Sequence, residues 1–230
     1  MNTAPTKIAT IKVGHQTLSQ WQQQCRQYML SIEPQFDRQH RIDHLDRVLV
    51  NALQIAEPTD AKLEVIVPAV MLHDCVAMSK QSPQRSKAST ISARHAKKLL
   101  NTWGYPDNYV PAIGAAIASH SFSAKIKAVS HEAKIVQDAD RLDSLGAIGI
   151  ARCLMLGEHF GSALYDSHDP FAVQRDLNDK QFSLDHFHTK LLHLVDRFQT
   201  PEGRALAQQR TQFMRHYLQQ LANEITTPID

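Results

Sequence analysis

The sequence predicts an all-α protein, one helical domain spanning residues 1–230. Three observations carry this. Glycine is scarce, with 8 in 230 residues. Nearly every long segment repeats its apolar residues at helical spacing. No series of alternating segments supports a sheet, and Ile8, Ile11 and Val13 alternate over too short a stretch to build one. A chain of this length can bury a substantial core in one domain, or in one domain with a lobe.

The elements follow in order. Thr17 to Ile32 reads as a first helix, with Trp21, Cys25, Tyr28 and Met29 on one stripe. Asp43 to Ala56 is a second, with Leu45, Val48, Leu49, Ala52 and Ile55 facing inward. Asp60 to His73 is a third, with Asp60 as its cap and Pro68 as a predicted kink or break in its hydrogen bonding. A polar loop over 77–89 follows, then helices over 90–103 and, after Gly104-Tyr105-Pro106, up to Ser119. Glu132 to Asp143 begins another, continuing through Ile148, Ile150, Ala151, Leu154 and Met155. Residues 157–181 are less regular. Two C-terminal helices, within 184–225, are expected to pack on the domain.

Composition narrows the function. Lys and Arg number 25 against 23 Asp and Glu, a net charge of +2. No block of basic residues suggests a surface that tracks a nucleic-acid backbone, and few aromatics are present to stack on bases. Three cysteines, Cys25, Cys75 and Cys153, form an odd set without CxxC spacing, which argues against a disulfide framework or a structural zinc site. Residues 1–20 lack the apolar core of a signal peptide, and the apolar run Val65–Leu72 falls well short of the ~20 residues that span a bilayer. The expectation is a cytoplasmic protein without a membrane or nucleic-acid partner; a homodimer is left open.

The chemistry concentrates where that apolar run ends, at His73-Asp74. His44 lies upstream, in the second helix, and Asp140 downstream, in Gln137-Asp138-Ala139-Asp140-Arg141-Leu142-Asp143. Adjacent helical residues point about 100° apart, so a shared ion needs His73 and Asp74 near a helix end or kink. Pro68 and the following loop provide that setting. Two imidazoles and two carboxylates suit Mn, Fe, Co, Ni or Zn better than Ca, with Mn expected first and Mg also admitted. Such an ion would lower the pKa of its water and polarise a phosphoryl group. Each residue alone is commonplace; their joint occurrence beside apolar stripes makes the constellation.

These residues resemble the H…HD…D pattern of the HD-domain phosphohydrolases, and more closely the bacterial HD hydrolases of the YedJ/YpgQ type. The resemblance extends over His44-Leu45-Asp46-Arg47-Val48, Leu72-His73-Asp74, Ser82-Pro83-Gln84-Arg85-Ser86, Ala118-Ser119-His120-Ser121-Phe122-Ser123-Ala124, the segment from Ala133 to Asp143, Gly146 to Arg152 and Leu184 to Leu192. It implies an HD/phosphodiesterase-like helical fold with the metal-binding core at 42–150, and His44, His73, Asp74 and Asp140 as ligands. Many relatives carry His-Asp just before the first ligand histidine, where this chain has His40-Arg41; His40 could join the site or support it.

Roles follow. Asp74 would also orient the attacking water. His120, which otherwise reads as a helix C-terminal histidine favoured by the dipole, would be the general acid. Lys80 and Arg85 would clamp phosphate oxygens or else be solvated loop charges, Asp143 would meet a sugar hydroxyl or cap a neighbouring group, and Asp138 would support the ligands. Arg47 is expected to be structural, and His186 and His188 to dock the C-terminal helices rather than hold a second ion. The resemblance implies nucleoside triphosphate pyrophosphohydrolase activity on a small-molecule nucleotide or related phosphate ester. A 5′-nucleotidase-type phosphatase and a nucleotide-binding regulatory module without turnover are the alternatives.

Overall fold

The first long helix is set by its entry. Thr17 accepts a hydrogen bond from the Gln20 backbone N–H at 3.3 Å while the Gln20 side chain accepts from the Thr17 N–H at 2.8 Å, a reciprocal capping box. In the computed structural model, which describes residues 8–33, 42–76 and 85–226, two compact units emerge, 1–140 and 141–230. In unit 1, after a helical stretch at 8–10, comes a short antiparallel hairpin, β1 (Lys12–Val13) and β2 (Gln16–Thr17), turned by Gly14 at φ +61°. The alternation in that stretch yields this hairpin and no larger sheet among the described residues. Trp21 Nε1 donates to the Val13 carbonyl at 2.9 Å and ties the hairpin to α1 (Leu18–Ile32).

α2 (Ile42–Ala56) buries Leu45, Val48, Leu49, Ala52 and Ile55, the stripe expected from its spacing. α3 (Leu63–Leu72) is apolar all round, and every residue from Val65 to Leu72 is buried. It packs against α1, α2 and α5 (Val110–His120), so it is the central strut of unit 1. The helix starts at Leu63 rather than Asp60, and its cap position, Lys62, makes no side-chain capping bond. α4 (Ala88–Trp103) ends on Gly104 in the left-handed conformation at φ +76°, and α5 returns alongside it. Unit 1 closes within α6 (His131–Leu142).

Pro68 lies inside α3, where it has no N–H for the Glu64 carbonyl one turn back. The Tyr105 hydroxyl fills that place, donating to the Glu64 carbonyl at 2.5 Å. Burial pushes the Tyr105 phenol upward, so it stays a donor. Tyr105→Phe should therefore destabilise the protein by about 1–3 kcal/mol, the cost of leaving a buried acceptor unpaired. Chemical denaturation would read this as a lower midpoint; an unchanged midpoint would mean water replaces the hydroxyl.

Unit 2 contains α7 (Gly146–His159), α8 (Ser183–Thr189), a 3-10 segment (Leu191–Arg197) and α9 (Pro201–Thr226). α6 and α7 are separate helices, although the apolar spacing reads through. Gly146 at φ +72° breaks the run, and Arg210 Nη1 donates to the Leu142 carbonyl at 2.8 Å. The 184–197 stretch likewise divides into α8 and the 3-10 segment. α9 packs on α7 and on that segment, and Phe187 stacks on Tyr217.

The irregular stretch before α8 is organised by Asp185, which is 1% exposed. It accepts from Arg175 Nη1 at 2.6 Å, Arg175 Nη2 at 2.8 Å and the Asn178 N–H at 2.6 Å. Burial alone would raise its pKa, but these bonds hold it below the ordinary value. A depressed folded pKa contributes stability that is present above the ordinary carboxylate range and lost as pH falls through the folded value. Proteolytic nicking within 162–182 should thus appear below about pH 4. Asp185→Asn should show it near neutrality; a nicking rate flat with pH would contradict this. Among the described residues no helix is long and apolar enough to cross a membrane.

Candidate metal centre

The end of α3 delivers His73 and Asp74 into a turn just past Leu72, where adjacent side chains can converge. His73 is 1% exposed, and its Nδ1 lies 2.7 Å from the Val70 carbonyl. A carbonyl can only accept, so Nδ1 carries the proton and Nε2 of the neutral ring holds the lone pair. Burial pushes the His73 imidazole pKa down, favouring that neutral form. Nε2 is buried and has no hydrogen-bond partner. It faces Asp74 Oδ2 at 3.6 Å and Asp140 Oδ1 at 3.9 Å.

His44 enters from the first turn of α2, with Nε2 3.4 Å from Asp140 Oδ1. Asp140 comes from the last turn of α6. Burial alone would raise its carboxyl pKa, but the His44 ring beside it and the nearby His120 imidazole hold it well below the usual carboxylate range. His120 ends α5 and repeats the His73 arrangement: Nδ1 is 2.7 Å from the Ile117 carbonyl, and Nε2 is 3.5 Å from Asp74 Oδ1. Burial would lower its pKa, yet the Asp74 contact outweighs this and raises it.

Two overlapping triads result, His44–His73–Asp140 and His73–Asp74–His120, with the donor atoms of each within 4.8 Å of one another. His73 belongs to both. The pairwise spacings of 3.4–3.9 Å are long for hydrogen bonds and short enough for atoms that share an ion. The donor set, neutral imidazole nitrogen and carboxylate oxygen around an orphaned buried nitrogen, fits a divalent transition metal or Mg.

Two residues not singled out from sequence position this cluster. Asn51 Nδ2 donates to the Ala139 carbonyl at 3.2 Å, next to Asp140, and Gln137 Nε2 donates to the Ser119 carbonyl at 2.5 Å, next to His120. Both are nearly fully buried. Polar residues on otherwise buried helix faces are the signal that could have found them. Cys75, which follows Asp74, is a free thiol pushed up to about 12 by burial, and so is Cys25. Neither belongs to the two donor clusters.

The remaining expected residues are placed as follows. Lys80, His40 and Arg41 lie outside the described residues, and Arg85 opens a 3-10 turn, Arg85–Lys87. Asp143 belongs to unit 2, is 1% exposed, and its Oδ2 accepts from Arg152 Nη1. Asp138 is fully buried. Arg47 pairs with Asp43 one turn back at 2.9 Å. In unit 2, His186 Nδ1 is 3.0 Å from Asp179 Oδ2, and His188 Nε2 is buried without a hydrogen bond.

Comparison with known proteins shows what the chain resembles. The HD domain family matches residues 41–145. The Bacillus subtilis protein YpgQ is 31% identical over 207 residues, spanning 88% of this chain and 93% of that protein. Its crystal structure in complex with ADP superposes with a TM-score of 0.70 over 90% of this chain and 96% of that one, at 30% identity. The crystal structure of an HD-superfamily hydrolase from Bacillus thuringiensis gives a TM-score of 0.72 at 27% identity, covering 91% and 99% of the two chains.

Proposed function

Because the chain belongs to the HD-domain family of metal-dependent phosphohydrolases, we propose that it hydrolyses a nucleotide, releasing pyrophosphate from a nucleoside triphosphate. The observation that carries the reading is His73 Nε2: buried, without a hydrogen bond and facing two carboxylates. A buried lone pair left this way costs free energy until a ligand takes it. The ligands we assign are His44, His73, Asp74 and Asp140, with Mn²⁺ as the ion ahead of Mg, Co, Ni, Fe and Zn. The ADP bound in the YpgQ crystal supports a nucleotide as substrate class.

A divalent ion held by His44, His73, Asp74 and Asp140 would acidify a water and offset phosphate charge. The chain's own groups do the rest. The Val70 carbonyl fixes the His73 ring with Nε2 inward. Asp74, aimed at both His73 and His120, orients the attacking water. His120, as imidazolium, holds one proton on Nδ1 against the Ile117 carbonyl and offers the Nε2 proton to the leaving oxygen. Lys80 and Arg85 are assigned to the phosphate chain.

Product identity tests this. Chelator-stripped protein with Mn²⁺ returned is given a panel of nucleoside mono- and triphosphates. Pyrophosphate and monophosphate from triphosphates are expected. Inorganic phosphate from monophosphates would move the assignment to a nucleotidase, and nucleotide binding without any product would overturn turnover.

A further inference from the structure

Unit 1 carries a second feature, built on α4. Ile91, Arg94, His95 and Lys98 recur at helical spacing on one face. With Tyr28 and Ile32 of α1 they line a cleft of about 450 Å³, a volume that suits a nucleotide-sized ligand. Cys75 and Val76, the residues after Asp74, form part of its wall. The Tyr28 hydroxyl lies 2.6 Å from His95 Nε2, and Trp103 meets the Tyr28 ring edge-on at 5.8 Å between centroids. These contacts hold the tyrosine ring as a fixed flat wall.

The charge on this wall is one-sided. Arg94 and Lys98 are exposed, one turn apart, and neither makes an ion pair among the described residues. Neither α4 nor α5 contains an Asp or Glu. Like charges at this spacing repel, and an anion seated between them would relieve the repulsion. A second cleft of about 430 Å³ shares Arg94 and Lys98, and Lys97, whose stem lies over Gly114, adds a third cation.

We infer that the α1–α4 cleft is a metal-independent binding site for a nucleoside phosphate. The aromatic ring lies against Tyr28, Ile32 and Ile91, and the phosphate lies between Arg94 and Lys98. The identity of the ligand rests on the nucleotide reading above; the site itself rests on the cleft.

The test is ADP titration of the full chain, stripped of metal, by calorimetry. Wild type should bind, more weakly as salt rises. The double variant Arg94→Ala/Lys98→Ala should bind about tenfold or more weakly, the scale of losing charged hydrogen bonds. Both side chains are exposed, so the core is untouched; Ile91→Trp, which fills the cleft, is the steric counterpart. No ADP binding by metal-free wild type, or equal binding by the double variant, overturns the inference. Cleft-dependent binding without turnover of any nucleotide would leave the cleft standing and sink the proposed activity. Turnover with ADP binding indifferent to the variants would do the reverse.

Discussion

Asp140→Ala is expected to lower turnover by about 1000-fold or more and to weaken Mn²⁺ binding with it. Asp140 is the carboxylate that faces both His44, at 3.4 Å, and His73, at 3.9 Å. Its loss leaves the first triad with two imidazoles and no carboxylate to balance a dication. The side chain is half-buried at the end of α6, so its truncation opens little core. Asp140→Asn keeps the shape and removes the charge, and should lose nearly as much. Steady-state rates across a Mn²⁺ titration, beside circular dichroism of each variant, read the effect. A well-folded Asp140→Ala protein with wild-type rate and metal affinity would remove Asp140 from the site.

The largest expected effect on folding lies at Gly149, in unit 2. A Cβ there would sit 2.3 Å from the Ser144 carbonyl oxygen and 2.5 Å from its carbon, both backbone atoms of the turn before α7. Nothing flexible can move aside, so Gly149→Ala should cost about 1–3 kcal/mol or more. Gly157 offers the contrast. Its Cβ would meet the Ser183 hydroxyl at 2.0 Å, but that oxygen can rotate, so Gly157→Ala should cost less. Thermal unfolding of the two variants gives the order; Gly157→Ala as the more damaging would contradict it.

The helices were legible where one apolar stripe faces a core. Leu45 through Ile55 and Trp21 through Met29 behave as their spacing dictates, because burial of a periodic face outweighs local detail. The break at Gly146 was not legible, since Ile148 and Ile150 continue the apolar spacing beyond it. That break depends on a positive φ and on Arg210, distant in sequence, reaching Leu142. The start of α3 is hidden for a related reason: Asp60 is a favourable cap by type, yet the chain leaves its turn two residues later. The site residues were visible as chemistry, and His44, His73, Asp74, His120 and Asp140 do come together in space. What sequence could not supply is the tautomer of His73, which depends on the Val70 carbonyl, and the sharing of His73 between two triads. The Tyr105 bond to Glu64 was equally hidden, because it joins residues far apart in the chain to repair a proline defect.

The most direct measurement is turnover of a nucleoside triphosphate by chelator-stripped protein, before and after stoichiometric Mn²⁺ is returned, for wild type and His73→Ala. The proposed activity predicts none in the stripped protein, recovery with metal in wild type, and no recovery in His73→Ala. Turnover by the stripped protein, or full recovery in His73→Ala, would contradict it.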